Sequence, residues 1–215
     1  PWYQAHADFV IDHLQPLGPD EVVLDIGCGT GYLLRRLAEC DRARGVGIDL
    51  SHEMVRVADE RARAAGAGSL AFVHADWENP EDRGRALAAH PAPSRIVCAS
   101  ALHYFVDPEA ALAAMFEVLH PGGELLILER ATERSPLTRL WGQLHRFLIR
   151  DHVKFYDSST LLGMLRAVGF DEACVESRLC KRFWKGKLYT NLALIRAVKD
   201  GAARPPRVTQ ARSCR

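Results

Sequence analysis

The sequence predicts an α/β fold in which a doubly wound, mostly parallel seven-stranded sheet carries helices on both faces. Short apolar runs alternate with helical periodicity through the first two thirds of the chain. A glycine cluster lies at the first strand-to-helix junction, and the sequence after residue 170 has the pattern of a β-hairpin. The 215 residues suit one domain, which we place at residues 1–199.

Each predicted element has a local reason. The strands are short runs rich in Val, Ile and Leu, as expected for a sheet covered on both faces. The helices have apolar residues at i, i+3 and i+4, with Met54, Val55 and Ala58 on the inner face of the second. Asp107 precedes proline, a typical helix start. In chain order we predict strand 22–26, helix 32–39, strand 45–49, helix 51–65 capped by Ser51, strand 70–74, strand 94–99, helix 108–119 and strand 124–129.

The alternation stops after Glu129. Apolar residues at helical spacing within 136–150 predict a helix outside the alternation, which we interpret as a lid insertion at about 135–152; packing of this helix on the sheet is the alternative. A helix over 159–168 ends at Gly169, and strands 170–180 and 188–197 form an antiparallel hairpin. Residues 200–215 lack apolar periodicity, so we expect a disordered tail.

Composition narrows the class of partner. The formal net charge is +1, which gives no general attraction to nucleic acid or to an anionic membrane, and we interpret the basic segment 181–187 as a solvated loop. No apolar run approaches the roughly 20 residues of a bilayer span, and the first residues lack the basic and apolar regions of a secretory signal, so we expect no export. The six cysteines, among them Cys174 and Cys180 on one strand face, lack the spacing of a zinc site or a disulfide framework. We therefore expect a cytoplasmic monomer or homodimer without a metal, acting on a small molecule.

The most informative motif is the loop Asp25-Ile26-Gly27-Cys28-Gly29-Thr30-Gly31, between the first strand and the first helix after it. Glycines there let the backbone approach a ligand and aim the free amides of a helix N-terminus at it. Asp49 ends the second strand, where a carboxylate can accept hydrogen bonds from both hydroxyls of a ribose. A dinucleotide loop has the spacing G-x-G-x-x-G, and this loop does not. An NAD-dependent oxidoreductase is therefore the less favoured alternative, and the absence of a Tyr-x-x-x-Lys pair also disfavours it.

Four motifs, taken in order, resemble the class I S-adenosylmethionine-dependent methyltransferases of the small-molecule type. They are Val-Leu-Asp-Ile-Gly-Cys-Gly-Thr-Gly at 23–31, Gly-Ile-Asp-Leu-Ser at 47–51, Ala-Asp-Trp at 75–77 and Leu-His-Pro-Gly-Gly-Glu-Leu at 119–125. The resemblance covers about residues 20–130 closely and the rest to 197 loosely. It implies a Rossmann-like sheet of strand order 3-2-1-4-5-7-6 with strand seven antiparallel, in agreement with the hairpin.

The resemblance also implies where the cofactor, S-adenosylmethionine, binds. Gly27, Gly29 and Gly31 would lie along its methionine and ribose part. Asp25 would arrange the loop and reach the amino group through water, and Asp49 would hold the ribose diol.

The adenine and the sulfonium would lie beside the following strands. Asp76 would accept a hydrogen bond from the adenine amine, while Leu50 and Trp77 flank the ring; a place in the core is the alternative for Trp77. Ser100, at the end of the fourth strand, would lie near the sulfonium, at the edge where open parallel sheets bind ligands.

A sulfonium methyl is a strong electrophile, so the protein mainly has to align it with an acceptor on O, N, C or S. His103 and Tyr104 follow the fourth strand, where the acceptor would meet the methyl group, and a histidine can act as the general base. The alternative is that His103 only shapes the pocket wall. Phe155 and Tyr156 are candidates to line the same opening. His6 lies on a predicted helix before the first strand, and in similar enzymes this helix closes over the cofactor. A cofactor-binding protein without transfer activity is the remaining functional alternative.

Overall fold

A computed structural model describes residues 2–14, 17–18, 21–41, 44–130, 156–183 and 187–201. The strands are β1 Val22–Ile26, β2 Arg44–Asp49, β3 Leu70–His74, β4 Arg95–Ala99, β5 Glu124–Arg130, β6 Glu172–Phe183 and β7 Lys187–Val198. The helices are α1 Trp2–His13, α2 Tyr32–Asp41, α3 His52–Ala64, α4 Pro80–Leu87, α5 Pro108–Val118 and α6 Ser158–Val168, with a 3₁₀ turn at Leu102–Tyr104. The predicted lid at 135–152 and the tail beyond residue 201 lie outside the described residues.

The seven strands form one sheet in the order β3-β2-β1-β4-β5-β7-β6. The first five are parallel to one another, and β7 runs antiparallel to both β5 and β6. The predicted fold class, strand order and hairpin are confirmed. The predicted loop at 181–187 is wrong for residues 181–183 and 187, which belong to β6 and β7. Because the strand order reverses between β1 and β4, a crevice opens at the carboxyl ends of these two strands, which is where open α/β sheets bind ligands.

Helices cover both faces of the sheet, and each face has its own apolar core. Every residue of β1 is buried, and β5 is buried except for Arg130. On one face Leu112 of α5 and Leu165 of α6 pack against the sheet. On the other face Val10 of α1 and Leu37 of α2 do so. This two-sided burial explains why the central strands are apolar throughout instead of alternating.

The predicted helix ends are confirmed where a capping residue marks them. The Ser51 hydroxyl accepts a hydrogen bond from the amide of Met54 (3.4 Å), and the Asp107 carboxylate accepts one from the amide of Ala110 (3.0 Å). Gly169 ends α6 at a φ of 116°.

Two features of the helical layer differ from the prediction. Met54 is 42% exposed, so its predicted place on the inner face of α3 is wrong, whereas Val55 and Ala58 are buried. One residue along a helix changes direction by about 100°, which separates neighbouring side chains in this way. Helix α4 is not predicted from the sequence; Asn79 caps it, and Ala86 is its buried residue.

In the described part of the chain no helix is long and apolar enough to cross a bilayer. The same part contains no group of three or more His, Cys, Asp and Glu side chains that could hold a metal ion. Cys28 and Cys98 are buried free thiols, and Cys174 is an exposed one. The side chain of Cys180 lies outside the described residues.

Candidate functional site

The glycine loop leaves β1 with three glycines in the left-handed region, at φ values of 73°, 53° and 68° for Gly27, Gly29 and Gly31. A Cβ atom at Gly27 would lie 2.4 Å from Cβ of Ala101, and one at Gly31 would lie 2.6 Å from the ring of Phe72. A Cβ atom at Gly29 would meet no atom within 4 Å. Packing therefore requires Gly27 and Gly31, whereas Gly29 faces open space, where a ligand can approach.

Four amides of the loop are bonded inside the protein. The N–H groups of Gly27 and Cys28 both donate to the carbonyl of Ile48 (2.8 and 3.1 Å), and that of Gly31 donates to Cys28 (3.0 Å). The N–H of Gly29 donates to the Asp49 carboxylate. These four loop amides are therefore not free to donate to a ligand. A pyrophosphate needs such donors, so this loop does not have the arrangement typical of a dinucleotide site.

Two acids belong to the surroundings of the loop: Asp25 precedes it at the end of β1, and Asp49 contacts Gly29. Asp25 is 3% exposed, and its burial, together with the negative charge of Asp49, raises its pKa to about 7. The two oxygens of Asp49 accept from the amides of Gly29 and Ser51, both at 2.8 Å. Each carboxylate oxygen has a second lone pair, so Asp49 can also accept from a ribose diol. Within the described ranges no Lys or Arg lies at ion-pair distance from either acid, so the site favours a cationic ligand.

The ends of β2 and β3 lie side by side, since Asp49 pairs with His74 in the sheet. Leu50 is 69% exposed, which leaves an apolar surface next to the loop. Asp76 is half-buried; one of its oxygens accepts from the amide of Glu78 at 2.9 Å, and the residue lines an open groove. Both residues keep surface that an adenine could use.

Trp77, in contrast, is a core residue. It is 3% exposed, and its Nε1–H donates to the carbonyl of Ala111 in α5 at 3.1 Å. The guanidinium of Arg83 lies 5.4 Å from the ring centroid. This environment favours the core interpretation of Trp77 over its predicted place against the adenine.

The end of β4 is tied to the N-terminal helix. Ser100 is the one described non-glycine residue with positive φ (57°), a strained conformation of the kind that concentrates at functional sites. Its amide donates to the carbonyl of Leu128 (2.7 Å), and its hydroxyl lies 3.2 Å from Nδ1 of His6 in α1. Helix α1 therefore reaches the edge where the sulfonium is predicted to lie.

A residue that follows β4 and one near the end of β5 form a histidine–carboxylate pair. Nδ1 of His103 lies 2.9 and 3.0 Å from the two carboxylate oxygens of Glu129, and the side chains are 14% and 3% exposed. Glu129 is missing from the sequence-based prediction, although an acid near the end of an otherwise apolar strand is a usable signal. Tyr104 is mostly exposed, with its ring centroid 4.1 Å from that of His103.

Tyr156 lies in the same neighbourhood. It is buried, and that burial, together with the charges of Glu129 and Glu78, raises the pKa of its hydroxyl to about 12. Glu78 accepts hydrogen bonds from the amides of Val106 and Asp107 and so holds the loop after the 3₁₀ turn. Tyr156 therefore stays protonated at neutral pH and supplies a hydroxyl group near the pair.

Comparisons with known proteins identify the family. Residues 3–175 match the family described as methyltransferase domain, which is most of the chain. The chain is 29% identical over 180 residues to the ubiquinone/menaquinone biosynthesis C-methyltransferase UbiE of Vibrio cholerae, a match that covers 72% of this chain and 65% of the relative. It is 28% identical over 191 residues to a ubiquinone biosynthesis O-methyltransferase of Ralstonia nicotianae, which covers 80% and 76%.

A solved structure shows the same fold. The YcgJ protein from Bacillus subtilis superposes with a TM-score of 0.73 at 18% identity, over 92% of this chain and 100% of that one.

Proposed function

The chain belongs to the S-adenosylmethionine-dependent methyltransferases, and on this premise we propose that it transfers a methyl group from that cofactor to a small organic acceptor. The observation that carries the proposal is the open face of Gly29, in a loop whose surroundings include two acids that have no cationic partner among the described residues. S-Adenosylmethionine has a sulfonium, an ammonium group and a ribose diol, so its chemistry fits these groups. When bound, it supplies an electrophilic methyl group.

We assign the binding roles from the surfaces described above. Asp49 holds the ribose diol, and Asp25 places a negative charge near the ammonium group. Leu50 packs against the adenine, and Asp76 accepts a hydrogen bond from its amine. Ser100 lies at the edge of β4 nearest to the sulfonium. These residues bind and orient the cofactor, and proximity of this kind supplies roughly 7–11 kcal/mol of a barrier.

The names of two relatives indicate the class of acceptor. The two curated relatives are named for methyl transfer to carbon and to oxygen in ubiquinone biosynthesis. An organic acceptor methylated at carbon or oxygen is therefore the working expectation. It would reach the methyl group from the side of His103 and Tyr104, which follow β4.

The proposal extends to the setting of the enzyme. Balanced charge favours a small-molecule substrate over a nucleic acid, and buried free thiols such as Cys28 and Cys98 suit the reducing cytoplasm. We propose a monomer or homodimer, which light scattering on the purified chain tests directly.

Calorimetric titration tests the cofactor. We expect S-adenosylmethionine and S-adenosylhomocysteine to bind and NAD to give no heat. Gly29→Val should abolish binding of both adenosyl compounds, because its side chain fills space that no protein atom occupies. Gly66→Val is the matched control: Gly66 has a φ of 66°, and a Cβ there also meets nothing within 4 Å.

The control separates the ligand from backbone strain. Both variants force a β-branched residue into the left-handed region, so both should lose similar stability. A Gly29→Val protein that binds S-adenosylmethionine as the wild type does would show that the open face of the loop is not the cofactor site.

A further inference from the structure

Glu129 is a buried acid whose partners are few and well defined. Both of its oxygens face Nδ1 of His103, and Oε1 also accepts a hydrogen bond from the amide of Arg130 at 2.9 Å. In the described part of the chain no Lys or Arg lies at ion-pair distance from it. A carboxylate that is 3% exposed needs such compensation, and here the imidazole provides it.

The contact assigns the proton of His103. An ionised carboxylate can only accept hydrogen bonds, so the ring nitrogen that faces Glu129 must carry the hydrogen. In the neutral imidazole the other nitrogen, Nε2, then has the free lone pair. None of the described residues forms a hydrogen bond with Nε2, and the side chain is 14% exposed. The pair therefore has the arrangement of a general base held by a carboxylate.

The pair also lies next to the cofactor loop. A Cβ atom at Gly27 would touch that of Ala101, so the loop and the segment after β4 are in close contact, and His103 is two residues further along. The segment after β4 and the end of β5 are linked by the hydrogen bond from Ser100 to Leu128, next to Glu129. His103 thus belongs to the same edge of the sheet as the proposed cofactor site.

We propose that Glu129 is the positioning residue that makes Nε2 of His103 a base, and that the acceptor is consequently a phenol or an enol. This inference rests on the proposed function. The acceptor hydroxyl gives its proton to Nε2, its oxygen forms the bond to the methyl carbon, and the carbon–sulfur bond breaks with its electron pair going to sulfur. The imidazolium then returns the proton to water.

The charges around the pair support this class of acceptor. Carboxylate and thiolate acceptors need no base, and an anion would approach Glu129 and Glu78 against their negative charge. A neutral phenol or enol has no such penalty and needs the base. Its anion is nucleophilic at oxygen and at the adjacent carbon, so one base serves methylation of either atom.

Nitrogen-15 NMR of histidine-labelled protein bound to S-adenosylhomocysteine tests the tautomer without turnover. At about pH 8 we expect the proton of neutral His103 on Nδ1. Glu129→Gln should remove that preference, since an amide can donate as well as accept. Glu117→Gln, an exposed acid on α5, is the control that should leave the spectrum unchanged. A wild-type proton on Nε2 would overturn the inference.

Kinetics test the role in the reaction with a series of phenols of increasing acidity and an arenethiolate as the acceptor without a proton. We expect His103→Ala to lower kcat by roughly 100- to 10,000-fold. Glu129→Gln should lower it by roughly 10- to 100-fold with KM nearly unchanged. The double variant should lose no more than His103→Ala alone, because Glu129 acts through His103. Both losses should shrink as the phenol becomes more acidic and vanish for the thiolate.

The outcomes separate the two proposals. Failure to bind S-adenosylmethionine would overturn the proposed function. The tautomer of His103, measured by NMR in the unliganded protein, would still test the positioning role of Glu129. Binding without methylation of any phenol would overturn the acceptor class. Losses that add in the double variant, or that are as large for the thiolate, would overturn the positioning role.

Discussion

The two edges of the central sheet treat buried charge in opposite ways. At the amino edge, Arg196 donates to Glu124 at 2.6 Å and to the carbonyl of His13 at 2.6 Å, and Arg95 lies 3.4 Å from the same carboxylate. At the carboxyl edge, Asp25 and Glu129 are as deeply buried, yet neither pairs with a Lys or Arg of the described ranges. The buried carboxylate at the amino edge is therefore paired with arginine side chains of the protein. The buried acids at the carboxyl edge depend on a proton, an imidazole or a cationic ligand for compensation.

The absence of a Lys or Arg partner in the described ranges explains the raised pKa of the Asp25 carboxyl group. Burial disfavours a carboxylate, and a nearby cation reverses the effect. Asp25 has a neighbouring acid instead, so its pKa rises to about 7. A buried acid with an unmet need for positive charge is thus a marker of the ligand site.

The largest expected effect comes from breaking the amino edge. Arg196→Met should lower the free energy of unfolding by about 3–5 kcal/mol, because Glu124 stays buried and loses its hydrogen-bonded cationic partner. Urea denaturation measures the change. The control is Arg56→Met, which removes exposed pairs with Glu53 and Glu60 and should have a much smaller effect. Equal effects of the two substitutions would mean that the buried pair does not hold this edge.

Removing the charge of Asp25 should have the opposite sign. Its folded-state pKa of about 7 exceeds the ordinary 3.8, so between those values the folded state holds a proton that the unfolded state has lost. Stability from this group is therefore full below about pH 4 and falls as the pH rises to about 7. At about pH 8, Asp25→Asn should stabilise the unliganded protein by as much as about 4 kcal/mol, and near pH 4 by little.

The same substitution should weaken binding of the cofactor. The negative charge of Asp25 favours binding of the cationic S-adenosylmethionine. Asp25→Asn is therefore expected to stabilise the unliganded protein and to lower its affinity for the cofactor. Denaturation and calorimetry at about pH 8 measure the two effects. An Asn variant that is less stable than the wild type at this pH would contradict the unmet charge of Asp25.

The sequence predicts the fold well because the relevant signals are local. Apolar runs and caps such as Ser51 and Gly169 place the ends of the predicted elements within three residues of the observed ones, and the ordered motifs indicate the strand order. Helix α4 is missed since it buries little apolar surface.

The site depends on contacts between residues far apart in the chain, which a local pattern does not contain. The pairing of His103 with Glu129 spans 26 residues, and the bond from Gly29 to Asp49 spans 20. The core position of Trp77 likewise follows from its contact with α5, which lies 34 residues away in sequence.

Asp49 gives the smallest of the expected effects and tests what kind of contact the carboxyl edge makes. Asp49→Ala should weaken the binding of S-adenosylmethionine by about 1.5–3 kcal/mol, the range for a hydrogen bond to a charged group. Asp49 also holds the amides of Gly29 and Ser51, so part of the loss can come from a loosened loop.

A second ligand separates the contributions of the two acids. 5′-Methylthioadenosine keeps the ribose and the adenine but has neither the ammonium nor the sulfonium charge. Since Asp49 is assigned to the diol, Asp49→Ala should weaken both ligands by a similar factor, whereas Asp25→Asn should weaken only the charged one. Calorimetry of the wild type and the two variants with each ligand measures these changes in affinity. Undiminished affinity of the folded Asp49→Ala protein for both ligands would remove the diol assignment and leave Asp49 as a support of the loop.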